Sequence, residues 1–160
     1  MVDNNQNILN AIDEARILGI FKKFCETNSS SDSKLKLRNI YASSNDKITT
    51  TIKLIGHEQN LNLSYDTASR LYELITAFLK KSNFRKPLSN DEKIELLSKQ
   101  KRKCAICGCD LQSTYHADHI VPFKYVGDEL ENNWQLLCSY CNERKSDSID
   151  YQIKYLLNLI

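Results

Sequence analysis

Two Cys-x-x-Cys pairs, Cys104/Cys107 and Cys138/Cys141, stand thirty residues apart, and the dipeptide Asp118-His119 lies between them. Each pair can form a knuckle whose two sulfurs converge, so the four thiolates suit one tetrahedral Zn2+ ion. A closed set of four cysteines leaves no position for water, which makes that zinc structural. The rival readings are two disulfides, or a redox motif in Cys104-Ala105-Ile106-Cys107. A doubled, evenly built pair in a chain expected in the reducing cytoplasm fits both poorly. Asp118, His119 and Asn142 are a different kind of set, because a carboxylate, an imidazole and an amide can hold a hard cation and move a proton.

The elements that must position these groups can be read from the pattern around them. Cys138, Cys141, Asn142 and Lys145 fall at i, i+3, i+4 and i+7, so a helix opening near Cys138 puts all four on one face. Tyr115-His116-Ala117-Asp118-His119-Ile120 reads as a strand ending before Pro122. In a regular strand Asp118 and His119 point to opposite faces. For both to serve one site the strand must end or distort there.

Upstream, residues 6–26 read as an amphipathic helix with Ile8, Ala11, Ile12, Ala15, Leu18 and Cys25 on one arc. Phe21 and Phe24 lie off that arc, so the helix either bends near Gly19 or is buried on more than one side. Period-two alternation at Leu35, Leu37 and Tyr41, and again at Ile48, Ile52 and Leu54, predicts an antiparallel hairpin around Ala42–Asp46. A second helix covers 65–81, capped by Ser64 or Asp66. A third opens at Ser89, where Glu92 completes a capping box. A last one spans about 147–160. The expected class is α+β: a helix–hairpin–helix part over 1–82, then a zinc-bearing part over 83–160.

Composition bounds the rest. A hydrophobic fraction of 41% supports a packed core. No apolar run reaches membrane-spanning length and the N-terminus is polar, so the expectation is a cytoplasmic protein without a membrane partner. The formal charge of +2 says little, but residues 80–103 carry nine Lys or Arg against three acids. That basic block directly precedes Cys104 and could grip a phosphate backbone. Cys25 reads as a small core residue and Cys109 as a bystander of its knuckle.

The full pattern, Cys-x-x-Cys, Asp118-His119-Ile120-x-Pro122, Asn133-Trp134-Gln135-Leu136-Leu137-Cys138-x-x-Cys141-Asn142-x-x-Lys145, resembles the HNH endonuclease family in its four-cysteine, zinc-stabilised form. The resemblance covers about residues 100–147. It implies a ββα-metal fold in which a two-stranded ribbon packs on a helix. It also implies His119 as the general base that activates water, Asp118 and Asn142 as ligands of a catalytic Mg2+ or Mn2+, and Asn133 as the asparagine that ties the loop together. DNA is the implied partner, with a homodimer the simplest way to cut both strands. Lys101, Arg102, Lys103, His116, Arg144 and Lys145 are the expected nucleic-acid contacts, although solvated flanks remain open for several of them. Restriction or other defence against foreign DNA is compatible with this reading. A zinc module that binds nucleic acid without cleaving it, and a nuclease for RNA or branched DNA, stay open as alternatives.

Overall fold

The computed structural model describes residues 4–160, with side chains described from Asn10 onward. Helix α1 (Asn4–Thr27) is the axis of the N-terminal part. It runs unbroken past Gly19 and is buried on several sides: Leu18, Phe21 and Phe24 are all fully enclosed. Phe21 and Phe24 both meet Phe78 edge-on, with ring centroids 6.3 and 6.2 Å apart. The predicted stripe holds at Ala15, Leu18 and Cys25, fails at the exposed Ile12, and at Ile8 lies outside the described side chains.

The predicted hairpin is absent. Its two strands are the helices α2 (Ser31–Ser43) and α3 (Lys47–Gln59). Ser44 and Asp46, in the segment read as the turn, are caps, and Ser30 caps the start of α2. Ser30 accepts from the Ser33 N–H, the Ser44 N–H returns to the Tyr41 carbonyl, and the Asp46 carboxylate accepts from the Ile48 and Thr49 N–H groups. Once capped, the segments bury Leu37 with Tyr41 and Thr51 with Ile55, both pairs at i, i+4. Packing of those helical faces outweighs the β-branched composition of 48–52. Helix α4 (Tyr65–Lys80) begins at the Ser64 cap and buries Ala68, Leu71, Leu74, Ile75 and Phe78, as the periodicity predicts.

A connector, residues 81–88, leads to α5 (Asn90–Lys99), which has the expected Ser89/Glu92 capping box. The cysteine-bearing part follows. Strand β1 (His116–His119) pairs antiparallel with β2 (Trp134–Leu137), with Asp118 opposite Gln135 and His119 opposite Trp134. A single turn, α6 (Phe123–Val126), lies between the strands. Helix α7 (Ser139–Lys145) follows β2 with Cys138 as its N-cap, and α8 (Ile149–Leu156) closes the described chain. The architecture is therefore mixed and mostly helical, with one small ribbon in the C-terminal part.

Two apolar clusters hold it together. The larger joins α1 and α4 to Val121, Val126 and Ile149, so one core crosses the residue 82/83 division expected from the sequence. The smaller packs Leu97 and Leu111 with Leu136, Leu137, Cys104 and Cys141 beneath the ribbon. Among the described residues no helix is long and apolar enough to cross a membrane.

Candidate active site and metal centre

The four cysteines converge. Their sulfurs all lie within 4.8 Å of one another, with Cys107 Sγ 3.8 Å from Cys138 Sγ. Backbone N–H groups point at the sulfurs, from Cys138 to Cys104 Sγ at 3.4 Å and from Cys141 to Cys138 Sγ at 3.5 Å. The first knuckle turns through Gly108, at φ +72, and the Cys104 N–H closes on the Cys109 carbonyl at 2.8 Å. Burial, then the hydrogen bonds with Cys107 and Cys138, push the Cys141 thiol well above its ordinary value. Four convergent sulfurs are the soft, tetrahedral donor set that Zn2+ takes as thiolates, so the residues fit zinc. Cys109 stands beside the cluster but is not one of the four.

Strand β1 ends at His119, which resolves the geometric demand made by Asp118-His119. Both residues line one cleft of about 450 Å3, with Asn142 from α7 and with Arg85, Phe123 and Lys124 around them. Asn133 is buried and pins the chain just beyond the strand: its Oδ1 accepts from the Val121 N–H and its Nδ2 donates to the Val121 carbonyl, both at 2.8 Å. The Ile120 N–H also donates to the Asn133 carbonyl at 2.8 Å. The two strands are thus tied at the point where the chain turns toward the cleft.

Asp118 is held on one oxygen only. Its Oδ2 receives Lys145 Nζ at 2.8 Å and Gln135 Nε2 at 3.1 Å. A carboxylate with one oxygen anchored, beside an amide in the same cleft, offers hard oxygen donors of the kind Mg2+ or Mn2+ takes, with the remaining positions left to water and phosphate. The residues therefore fit a divalent ion.

His119 is 8% exposed and confined on several sides. The Trp134 ring centroid is 3.9 Å from its own and that of Phe123 is 5.5 Å away. Its Nε2 lies 2.6 Å from Asp128 Oδ1. Burial works against the charge on Asp128. The hydrogen bonds from His119 and the Lys86 N–H, with Arg85 nearby, nevertheless hold its carboxyl below the ordinary value.

Lys145 departs from expectation. It is fully buried, donating at 2.7 Å to the His119 carbonyl as well as to Asp118, so it braces the site from beneath and does not face a phosphate. Helical spacing put Lys145 on the correct face but could not say that the ribbon covers that face. Lys101, Arg102, Lys103, His116 and Arg144 are exposed and lie outside the cleft lining. Lys103 pairs with Asp110 at 2.8 Å, His116 meets Ser139 Oγ at 3.1 Å, and Arg144 donates to Tyr140 Oη at 2.9 Å. Asp128 and Gln135 are the site residues that sequence reasoning missed, while Arg85 belongs to the basic block of residues 80–103 expected to meet phosphate. Gln135 carried a signal, since pairing of the two strands would set it opposite Asp118.

Residues 104–148 match the family model described as HNH endonuclease. The HNH segment includes every cysteine of the cluster and Asp118, His119, Asp128, Asn133, Asn142 and Lys145, while Arg85 and Lys86 lie outside it. The match points to nuclease-type function and hence to a nucleic-acid substrate. It covers little more than a quarter of the chain, and no curated protein and no solved structure matches significantly.

Proposed function

We propose that the protein is a metal-dependent endonuclease that hydrolyses phosphodiester bonds in DNA. One observation carries this reading: Asp118, His119 and Asn142 line a single cleft within the HNH segment, beside the four-cysteine cluster. Asp118 and Asn142 would hold Mg2+ or Mn2+. When bound, that ion supplies the positive charge that stabilises the pentavalent phosphorus and the leaving 3′ oxygen.

The protein's own groups do the rest. The His119 imidazole takes a proton from water as the water oxygen attacks phosphorus, and the bond to the 3′ oxygen breaks. Lys145 and Gln135 fix the Asp118 carboxylate in one orientation. Asn133 supports the reading as the residue that holds the end of β1 in place. The Arg85 guanidinium, 4.2 Å above the Phe123 ring, supplies a cation at the cleft where a phosphate would lie. The exposed Lys101, Arg102, Lys103, His116 and Arg144 would contact backbone farther along the strand, a sequence-independent contribution. Restriction or another defence role would need recognition from outside residues 104–148, where the helices α1–α4 are available. Cutting both strands at one place would call for two copies of the chain.

Incubating the zinc-loaded protein with supercoiled plasmid tests the proposal. Nicked or linear DNA should form with Mg2+ or Mn2+ and disappear with a chelator that spares the zinc. Mapping the ends should give 5′ phosphates. Folded protein that binds DNA but leaves it intact under varied metals would instead favour the non-cleaving zinc module. Preferential cleavage of RNA or branched DNA would redirect the substrate assignment.

A further inference from the structure

The His119 ring has two nitrogens, and the structure distinguishes them. Nε2 meets Asp128 Oδ1 at 2.6 Å, and the Asp128 side chain is only 5% exposed. An ionised carboxylate can only accept a hydrogen bond, so the proton of the neutral ring belongs on Nε2 and the lone pair on Nδ1. Nδ1 has no protein partner among the described residues, and no buried side-chain nitrogen or oxygen there lacks one. Nδ1 is therefore the nitrogen in touch with the water of the cleft.

Asp128 is itself held from outside the HNH segment. Its Oδ2 accepts the Lys86 backbone N–H at 2.6 Å. The connector lies tightly on the loop that carries Asp128. Gly127 has φ +59, and a Cβ there would stand 3.1 Å from Lys81 Cγ and 3.2 Å from the Ser82 carbonyl. Arg85, next to Lys86, covers the Phe123 ring, which in turn packs near His119.

We propose that Asp128 is a positioning residue for His119. By accepting from Nε2–H it fixes the tautomer that presents Nδ1 to the cleft, and the Lys86 N–H of the connector locks Asp128 in that pose. The connector between α4 and α5 thereby helps to orient the base through a backbone contact. The catalytic consequence rests on the nuclease reading; the tautomer does not.

The test uses the full-length, zinc-loaded chain. Nitrogen-15 NMR of the histidine rings, recorded where they are neutral, reports the His119 tautomer, and plasmid nicking reports kcat and KM. Wild type should show Nε2–H. Asp128→Ala should give a mixture of tautomers and lower kcat about a hundredfold with KM unchanged, near the lower end of what a general base contributes. Asp128→Asn keeps an accepting oxygen and should retain Nε2–H. If Asp128→Ala does not fold, Asp128→Ser, too short to reach the ring, is read the same way. A wild-type ring protonated on Nδ1 overturns the proposal, as does an alanine variant with the wild-type tautomer and kcat. Wild-type protein with the Nε2–H tautomer but no cleavage would instead remove the nuclease reading and leave the positioning role standing.

Discussion

Lys145 Nζ lies 2.8 Å from Asp118 Oδ2, and the lysine is completely buried. The pair sets a cation beneath a carboxylate that lines the cleft. Nζ also donates to the His119 carbonyl at 2.7 Å, which offsets part of the cost of burying the ammonium. Removing one member of a buried ion pair leaves the other uncompensated. Lys145→Met should therefore destabilise the protein by about 3 kcal/mol, as read from urea unfolding. A change below about 1 kcal/mol would show that Asp118 is solvated well enough to do without its partner.

His119→Ala should abolish plasmid cleavage while zinc content and DNA binding stay close to wild type. The ring sits against Trp134 and Phe123, so some stability will be lost with it. The sharper comparison is therefore His119→Gln, which keeps more bulk. Cleavage by either variant at the wild-type rate would take His119 out of the base role.

Cys104 and Cys141 are both cluster sulfurs and members of the smaller apolar core. Metal ligation supplies folding energy in small modules of this kind. Cys104→Ser or Cys141→Ser should lose zinc and unfold the ribbon, measured by metal analysis and circular dichroism. The larger core, built mainly on α1 and α4, should keep most of its helix signal. A folded, active serine variant without zinc would refute the structural assignment.

Gly127→Ala should cost roughly 1–3 kcal/mol from the backbone alone, because φ +59 with ψ −142 is a conformation that only glycine adopts freely. The added Cβ also presses on Lys81 and Ser82, so it should loosen the connector. Thermal unfolding gives the first effect, and amide exchange at Lys86 gives the second. Unchanged protection at Lys86 would mean the connector accommodates the methyl group.

The depressed carboxyl of Asp128 carries a pH signature. Its folded value lies below the unfolded one, near about 3.9, so its stabilisation is complete above that pH. It is lost as pH falls through the folded value. The stability gap between wild type and Asp128→Asn should accordingly be constant near neutrality and narrow below about pH 4. Urea titrations at several pH values measure it. A gap that widens on acidification contradicts the sign.

Local chemistry made much of the C-terminal part legible in the sequence. Cysteine spacing announces a metal cluster because ligand pairs need only a tight turn, and the i, i+3, i+4, i+7 series announces one face of α7. The Ser89/Glu92 box marks a helix start for the same local reason. Short alternation at 34–41 and 47–54 misled, because over so few residues period two and period 3.6 select overlapping positions. The caps at Ser30 and Asp46, together with the cores formed by Leu37, Tyr41, Thr51 and Ile55, decided for helix. Spacing likewise put Lys145 beside Asn142, but its burial depended on where the ribbon lies. Asp128 and the Lys86 N–H, 42 residues apart, had no shared pattern at all. The sequence by itself determined which groups could bind metal and move a proton. Tertiary structure decided which nitrogen of His119 faces the cleft, because a hydrogen bond between distant residues exists only once the whole chain is packed.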